Sequence, residues 1–404
     1  MKTLRTITLG TLVMVTALMT AAGGVARAEE ARNPQSTLPT NNNLLFWNQS
    51  ERDAAFRAME RVPLMGGWHT VAPSATPRIW QSGPPLKLDV DVDAFLASQH
   101  SAALLIVQGG KLRLERYGLG FDGDNDRWTS FSVAKSFTST LAGAAVRDGY
   151  IKSLDDKVSA YIPAMKGSAY DDVSVRQLLT MTSGVRWNED YKDPNSDVAR
   201  FGHQQPEPGV DTLVSYMRKL PRAAPAGTRW NYSTGETNLL GILVTQATGR
   251  PLAQYLQEKI WQPAGMAHEA TWLLSKTGQE ISGAFLQASP RDFARFGQFI
   301  LEGARVNGQP IVPDDWLSAA TTKRADINTP GFGYGYQWWT RDDGSFSARG
   351  IFGQGIFIDP RRQLVVVFNS SWPSAVDSAS SAKREQFFQA VRKAVDAEQA
   401  GQGN

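Results

Sequence analysis

The sequence predicts an α/β (α+β) protein in which an antiparallel sheet, built from both ends of the chain, is flanked by helices and carries a mainly helical insertion. Strand-like segments occur at about 101–118 and again between about 333 and 370. Most segments between them show the three-to-four-residue apolar spacing of amphipathic helices. The chain has 404 residues, which is enough for two or three domains.

These patterns divide the chain into four expected parts. Residues 1–28 would be a signal peptide and 29–98 an N-terminal arm and lead-in. Residues 150–285 would form a mainly helical domain. The sheet domain would combine residues 99–149 with 286–404, so that the two ends of the chain meet in one sheet.

The first 28 residues have the three parts of a signal peptide. Lys2 and Arg5 precede the apolar run "ITLGTLVMVTALM", and Ala26–Ala28 provides a small-x-small cleavage site. A membrane anchor is the alternative, but the apolar run is short for a bilayer span. We therefore expect an exported protein, periplasmic or secreted, that leaves the membrane after cleavage before Glu29.

Composition excludes several classes of function. Cleavage would remove three basic residues and no acid from a chain of formal net charge +3, so the remaining chain has a formal net charge of zero. There is then no net positive charge to attract nucleic acid or an anionic surface. The absence of cysteine excludes disulfides, thiolate metal ligands and a cysteine nucleophile. The four histidines lack metal-binding spacing, and no dinucleotide or P-loop fingerprint occurs. We expect no cofactor, and a small-molecule ester or amide as the partner.

Local signals place the main elements. "SAALLIVQGGKLRLERYG" predicts a hairpin that turns at Gly109–Gly110. A helix is expected from Ser132 to Asp148, ended by Gly149. Near the C-terminus, "GYGYQWWT", "SFSARGIFGQGIFID" and "LVVVFNS" predict strands, and "SAKREQFFQAVRKAVDA" predicts an amphipathic helix.

The helix at 132–148 carries a charged residue inside an apolar segment. Ser132 and Lys135 are one turn apart in "RWTSFSVAKSFTSTLAGAAV", so their side chains share a face. Thr129 or Ser130 is expected to cap the helix. A partly desolvated lysine has a lowered pKa and can activate a serine hydroxyl as a nucleophile.

The same S-x-x-K spacing occurs a second time, at Ser380 and Lys383. That pair lies on the polar terminal helix and is expected to be solvated. Spacing alone is therefore weak evidence, and the apolar surroundings distinguish the first pair.

A tyrosine precedes the next apolar helix. In "RWNYSTGETNLLGILVTQATG", Ser233 and Glu236 predict a capping box, with Tyr232 held on the turn before it. A phenol near an ammonium has a lowered pKa and can accept a proton. A half-buried structural tyrosine is the alternative, and whether Lys135 or Tyr232 takes the proton is left open.

The segment "ARGIFGQGIFIDP" has glycine at 350, 353 and 355 within a strand pattern. Such glycines mark either a bulge or the close approach of another backbone or a ligand. An acyl-transfer site needs two N–H donors for the developing oxyanion. The N–H groups of Ser132 and Ile351 are the candidates.

These three stretches, in this order, resemble the serine β-lactamase-like hydrolases, which include class C β-lactamases, DD-peptidases, esterases and 6-aminohexanoate-dimer hydrolases. "SFSVAKSFTS", "YSTGETN", "LLTMTSGV" and "RDFARFGQFIL" are similar to phrases of that family. The resemblance implies the β-lactamase/transpeptidase-like fold and acylation of Ser132, with Lys135 and Tyr232 as the base system and water completing the reaction.

The nearest resemblance is to the 6-aminohexanoate-dimer hydrolases. "WNEDYKDPNSDV" is similar to their substrate-loop segment, which makes Tyr191 a candidate to contact the scissile group. Trp187, with Trp338 and Trp339, is a candidate for an aromatic substrate cleft, or else packs in the core.

The sequence departs from the family pattern in two places. The third motif, usually K-T-G or H-x-G, reads Ala348-Arg349-Gly350, where Arg349 is the candidate substitute for the cation. A literal "KTG" at 276–278 is interpreted as a turn, so β-lactamase activity is doubtful. Phe201-Gly202-His203 has no carboxylate for an aminohexanoate ammonium. A catalytically idle envelope peptide-binding protein is the alternative, and the oligomeric state is not predicted.

Overall fold

The computed structural model describes residues 38–402 except 64–65 and 124–125, and nothing is stated for the side chain of residue 402. The expected signal peptide, 1–28, lies outside the described residues. Nowhere between residues 38 and 402, those two gaps aside, is there a helix whose length and hydropathy would suffice to cross a bilayer.

The predicted α/β (α+β) class is confirmed. The strands, in chain order, are β1 (Trp68–Val71), β2 (Gln81–Ser82), β3 (Ser101–Gln108), β4 (Lys111–Tyr117), β5 (Trp128–Thr129), β6 (Ala270–Leu273), β7 (Leu286–Ala288), β8 (Arg305–Val306), β9 (Gln309–Pro310), β10 (Phe332–Tyr334), β11 (Trp339–Arg341), β12 (Phe346–Gly350), β13 (Gln354–Asp359) and β14 (Leu364–Ser370).

Helices flank the sheets and fill most of the interval between them. They are α1 (Gln49–Ala55), α2 (Val92–Ser98), α3 (Ala134–Arg147), α4 (Val158–Tyr161), α5 (Val175–Leu179), α6 (Asp197–Arg200), α7 (Thr212–Met217), α8 (Thr234–Thr248), α9 (Leu252–Leu256), α10 (Pro290–Leu301), α11 (Trp316–Thr321) and α12 (Ser378–Gln402). Short 3₁₀ turns include Leu44–Phe46, Phe131–Val133 and Ile351–Gly353, and a π-helical turn covers Gln257–Trp261.

Both ends of the chain meet in one eight-stranded sheet, ordered β10-β11-β12-β13-β14-β3-β4-β2. The first seven strands pair antiparallel, and only the edge strand β2 pairs parallel, with β4. The hairpin β3–β4 turns at Gly109–Gly110, where both glycines have positive φ. The predicted strands near residues 101–118 and 333–370 therefore belong to a single sheet.

A second sheet, ordered β1-β6-β7-β5, joins the lead-in to the end of the helical part. The sequence analysis did not predict β1 or β6. Each has four residues, which is too short for alternation to stand out between helical segments.

Helices cover both faces of the large sheet. On one face α10 packs against β14 and β13, and a Cβ at Gly297 would lie 2.5 Å from a methyl group of Val365. On the other face, Phe387 and Phe388 of α12 pack on Phe368. Helix α3, buried from Ala134 to Ala145, lies between the large sheet and α8. It therefore carries its first turn to the space between that sheet and α8.

Candidate active site

Ser132 lies in the 3₁₀ turn that precedes α3. The preceding residue, Phe131, has φ of 41°, a left-handed conformation that is rare for an aromatic residue. Its ring packs against Phe56 and Phe352, at 4.8 and 5.5 Å between centroids. Ser132 retains 8% of its surface exposed. Packing on both sides thus holds a strained turn with a reachable hydroxyl.

The predicted helix cap is wrong. Neither Thr129 nor Ser130 caps α3 through its side chain. The hydroxyl of Ser130 instead accepts a hydrogen bond from the backbone N–H of Leu286 at 3.0 Å. This links the nucleophile turn to β7, a tertiary contact that a local cap pattern does not report.

Lys135 is buried, with 1% of its surface exposed, and all its polar contacts point at the site. Its Nζ donates to Ser132 Oγ at 3.0 Å, to Thr234 Oγ1 at 3.0 Å and to the carbonyl of Gly283 at 2.7 Å. Burial lowers the pKa of this amine to about 7, against a smaller opposing effect of Glu189. A large fraction of the amine is therefore neutral near pH 7.

Tyr232 lies one residue before the N-cap Ser233 of α8, as predicted. Its hydroxyl shares a hydrogen bond with Ser132. Its ring stacks on Trp339 at 5.4 Å, and Lys135 Nζ lies 5.2 Å from the ring centroid. The expected nucleophile, Ser132, and the two residues expected to form the base system, Lys135 and Tyr232, thus lie together.

The expected direction of the Tyr232 pKa is wrong. Burial raises the pKa well above its usual value, and the negative charge of Glu189 adds to the rise. The Lys135 amine faces the Tyr232 ring and is itself partly neutral, so it supplies little positive charge to lower the pKa of the phenol. The phenol therefore keeps its proton in the free enzyme.

A carboxylate that the sequence analysis missed connects the site to the segment 187–198. Glu189 accepts hydrogen bonds from the Thr234 N–H at 3.0 Å, from the Thr234 hydroxyl and from the Tyr191 hydroxyl at 2.8 Å. Thr234 in turn contacts Lys135. The signal was present in "WNEDYK", where only the aromatic residues were singled out.

The tryptophan candidates separate in the structure. Trp187 is buried, packs on Phe201 at 5.7 Å and donates its indole N–H to Glu189, so it supports the site from behind. Trp338 is fully buried in the core. Of the three, Trp339 lines the cleft.

The glycine-spaced strand passes directly beside the nucleophile turn. A Cβ at Gly350 would lie 2.7 Å from the carbonyl oxygen of Ser130 and 3.1 Å from the Cβ of Phe131. Close backbone approach is thus the reason for this glycine. The next residue, Ile351, lines the same cleft as Ser132.

The cleft has two lobes that share Ser132, Tyr191 and Ile351. The first, termed the apolar lobe, has a volume of about 490 Å³ and extends from Ser132 to Leu45, Phe46 and Phe285. The second, termed the arginine lobe, has a volume of about 350 Å³. Its lining includes Glu189, Tyr232, Trp339, Arg349 and Arg384.

The arginine lobe holds more positive than negative charge. Glu385 forms a two-pronged ion pair with Arg341, at 2.6 Å for each contact. Arg349 donates to the Ser347 hydroxyl at 2.9 Å, and Nη1 of Arg384 is buried without a hydrogen-bond partner among the described residues. Burial, with the other arginines nearby, lowers the pKa of Arg349 to about 9 and that of Arg384 to about 10.

The literal "KTG" is a turn, as interpreted: the N–H of Gly278 donates to the Ser275 carbonyl at 3.0 Å. Lys276 nevertheless lies at the rim of the apolar lobe, where its Nζ donates to the carbonyl of His203 at 3.0 Å. Among the residues that the structure describes, no group of histidine and acidic side chains is placed to hold a metal ion.

Comparison with known proteins agrees with this architecture. Residues 89–390 match the Beta-lactamase family. The chain is 30% identical over 311 residues to a 6-aminohexanoate-dimer hydrolase of Paenarthrobacter ureafaciens, covering 72% of this chain and 79% of that one. A lovastatin esterase of Penicillium rubens is 25% identical over 188 residues, covering 43% and 46%.

The fold is also found among solved structures. A Bacillus anthracis protein provisionally named 6-aminohexanoate-dimer hydrolase superposes with a TM-score of 0.76 at 22% identity, covering 88% of this chain and 98% of that one. The resemblance inferred from the three sequence motifs is thereby confirmed at the level of family and fold.

Proposed function

We propose, from the premise that the chain belongs to the beta-lactamase family, that it is an exported serine hydrolase that cleaves a small ester or amide through an acyl-enzyme on Ser132. The observation that carries this proposal is the contact of Ser132 Oγ with the buried amine of Lys135 at 3.0 Å, beside the phenol of Tyr232. Nucleophile, base and acid are then all within reach of one carbonyl carbon.

The proton transfers follow from the two pKa values. The neutral amine of Lys135 takes the Ser132 proton as Oγ attacks the carbonyl carbon. The phenol of Tyr232 donates its proton to the departing oxygen or nitrogen, and the ammonium of Lys135 then returns the serine proton to the phenolate. Water afterwards hydrolyses the acyl-enzyme, which releases the acid and restores the Ser132 hydroxyl. For the choice that the sequence left open, we therefore propose Lys135 as acceptor and Tyr232 as donor.

The N–H groups of Ser132 and Ile351 would stabilise the oxyanion. Ser132 is in the first turn of a helical segment, where N–H groups have no intrahelical acceptor. Gly350 brings the terminal strand against Ser130, which places Ile351 beside the nucleophile. Removing one such donor typically costs two to three orders of magnitude in rate.

The position of the acid assigns the two lobes. A general acid must lie within hydrogen-bond reach of the group it protonates. Tyr232 lines the arginine lobe and not the apolar lobe, so the leaving group occupies the arginine lobe and the acyl limb the apolar lobe. Arg349, predicted to contact substrate, would there meet a carboxylate on the leaving group, together with Arg384.

The test is active-site labelling with a fluorophosphonate probe, followed by hydrolysis of p-nitrophenyl butyrate. Ser132→Ala is expected to abolish labelling and to lower kcat/KM by roughly 10⁴-fold or more. Ser380→Ala is the matched control, because it removes the serine of the second S-x-x-K pair. Equal labelling of Ser132→Ala and the parent would refute the proposal and favour an idle binding protein.

A further inference from the structure

Residues 41–56 are the part of the expected N-terminal segment 29–98 that is called the N-terminal arm from here on. The arm lies upstream of the region 89–390 that matches the family. Its 3₁₀ turn contributes Leu44, Leu45 and Phe46 to the lining of the apolar lobe, opposite Phe285. Phe46 exposes 51% of its surface, a high fraction for a large apolar side chain. An exposed apolar group that faces a cleft is a ready contact for an apolar ligand.

The root of the arm is fixed to the sheet domain. Helix α1 begins with a capping box in which Asn48 and Glu51 each accept from the other's backbone N–H. Gln49 Nε2 donates to the carbonyl of Ser371 at 2.7 Å, beyond the end of β14. Phe56 is fully buried and packs on Phe131, the residue before the nucleophile. The arm is therefore attached to the same turn that holds Ser132.

The tip of the arm reaches the other side of the cleft. The side-chain amide of Asn42 donates to Nδ1 of His203 at 3.2 Å. Burial, reinforced by Lys276, lowers the pKa of His203, so its ring is neutral and can accept this hydrogen bond at neutral pH. Anchored at both ends, the turn between Asn42 and Gln49 spans the apolar lobe as a wall.

The lining of the apolar lobe defines what this wall encloses. No aspartate or glutamate of the described residues lines it, and the lining is mostly apolar. The apolar lining includes Leu45, Phe46, Val198, Phe201, Ile281 and Phe285. Arg200 and Lys276 also line the lobe, so a ligand cation would meet positive charge and no counter-charge. An alkyl chain that enters the lobe would lose its contact with water along both faces.

We propose that the N-terminal arm is a specificity-determining segment, which forms the outer wall of the acyl subsite and selects substrates with a medium-length alkyl acyl limb that carries no positive charge. This inference rests on the proposed function. Each methylene that enters the lobe and leaves water is expected to raise kcat/KM about fourfold. Phe46 and Leu45 would contact the distal carbons of the chain.

The experiment measures kcat/KM for p-nitrophenyl acetate, butyrate, hexanoate and octanoate. In the parent protein, kcat/KM rises with chain length. The double variant Leu45→Ala with Phe46→Ala is expected to lower the octanoate-to-acetate ratio about tenfold. Asn42→Ala, which releases the tip of the arm, lowers the same ratio by a smaller factor. The control is Ile79→Ala, which removes a side chain that is 78% exposed and lines neither lobe.

The possible outcomes distinguish a failure of the proposal for the arm from a failure of the proposed reaction. An unchanged ratio in both arm variants, measured on proteins whose thermal unfolding matches the parent, overturns the proposal for the arm. The proposed function survives that result provided that Ser132→Ala remains inactive. Conversely, an active Ser132→Ala protein would overturn the reaction, whatever the arm variants do.

Discussion

The two lobes of the cleft differ in what surrounds a common nucleophile. The apolar lobe has no acidic lining residue and is closed by an arm that precedes the family region. The arginine lobe is closed by the terminal strand and helix α12, which place Arg349 and Arg384 beside Tyr232. Ser132 and Lys135 lie on a single helix turn between them. Under the proposed function, local motifs would therefore supply the chemistry, and remote segments would supply the selectivity on each side.

The largest effect is expected from a substitution that removes the catalytic group common to both lobes. Lys135→Ala should lower kcat/KM by roughly 10⁴-fold for every ester, whatever its acyl limb or leaving group, because the catalytic groups act as a unit. Lys383→Ala is the matched control, because Lys383 is exposed. Its partner in the second S-x-x-K pair, Ser380, is buried, so the expectation that the whole pair is solvated is wrong. If Lys135→Ala lost activity toward only one class of ester, Lys135 would not be the base common to both lobes.

The same amine sets the pH dependence of the parent. Its pKa of about 7 means that the active, neutral form is lost as pH falls. We expect kcat/KM to rise with pH through about 7 and then to level off. A profile that is flat between pH 5.5 and 8.5 would contradict the role of Lys135 as the proton acceptor.

A smaller effect distinguishes the arginine lobe. Acetate esters of 3-hydroxybenzoate and of 3-hydroxybenzamide differ in the charge of the leaving group and little in its shape. Arg384→Met should lower the preference for the anionic leaving group by roughly tenfold, the scale of one charge-assisted hydrogen bond. Arg384→Lys should restore part of it.

The exposed Arg361 provides the control for that experiment. Arg361→Met removes one positive charge from the protein without altering the lobe. If Arg361→Met lost as much of the preference as Arg384→Met, the preference would depend on the net charge of the protein and not on Arg384 in the lobe. If the parent protein hydrolysed the two esters with equal kcat/KM, the proposal of an anionic leaving group would be wrong.

The smallest effect concerns Glu189, whose charge raises the pKa of Lys135 against the lowering effect of burial. Glu189→Gln keeps the shape but removes that charge. The midpoint of the pH–rate profile should therefore move to lower pH, by up to about one unit. Asp190→Asn, next to Glu189 but exposed, is the control. A shift to higher pH would contradict this assignment.

Several local predictions were confirmed because they depend on neighbours in sequence. The hairpin at Gly109–Gly110 follows from two adjacent glycines with positive φ. Ser233 caps α8 by accepting from the Glu236 N–H at 3.2 Å. The Glu236 side chain, however, is bound by Ser183 rather than closing the predicted capping box, and burial raises its pKa to about 8.

Other predictions failed where a distant contact outweighed the local pattern. Ser130 does not cap α3, because β7 offers its hydroxyl a partner 156 residues away. Burial beside Glu189 raises the pKa of Tyr232, although proximity to a lysine suggested the opposite. Of the two alternatives given for Trp187, the structure favours packing, because its buried indole donates to Glu189.

The sequence by itself determined the elements whose signal is periodic or local: the strands at both chain ends, the helix that carries Ser132 and Lys135, and the turn that presents Tyr232. Only the tertiary structure decided that Glu189 contacts Thr234, that Nη1 of Arg384 has no hydrogen-bond partner among the described residues, and that the arm lines the cleft. The physical reason is that burial and charge balance are set by side chains tens to hundreds of residues apart. A one-dimensional pattern does not encode which of them meet.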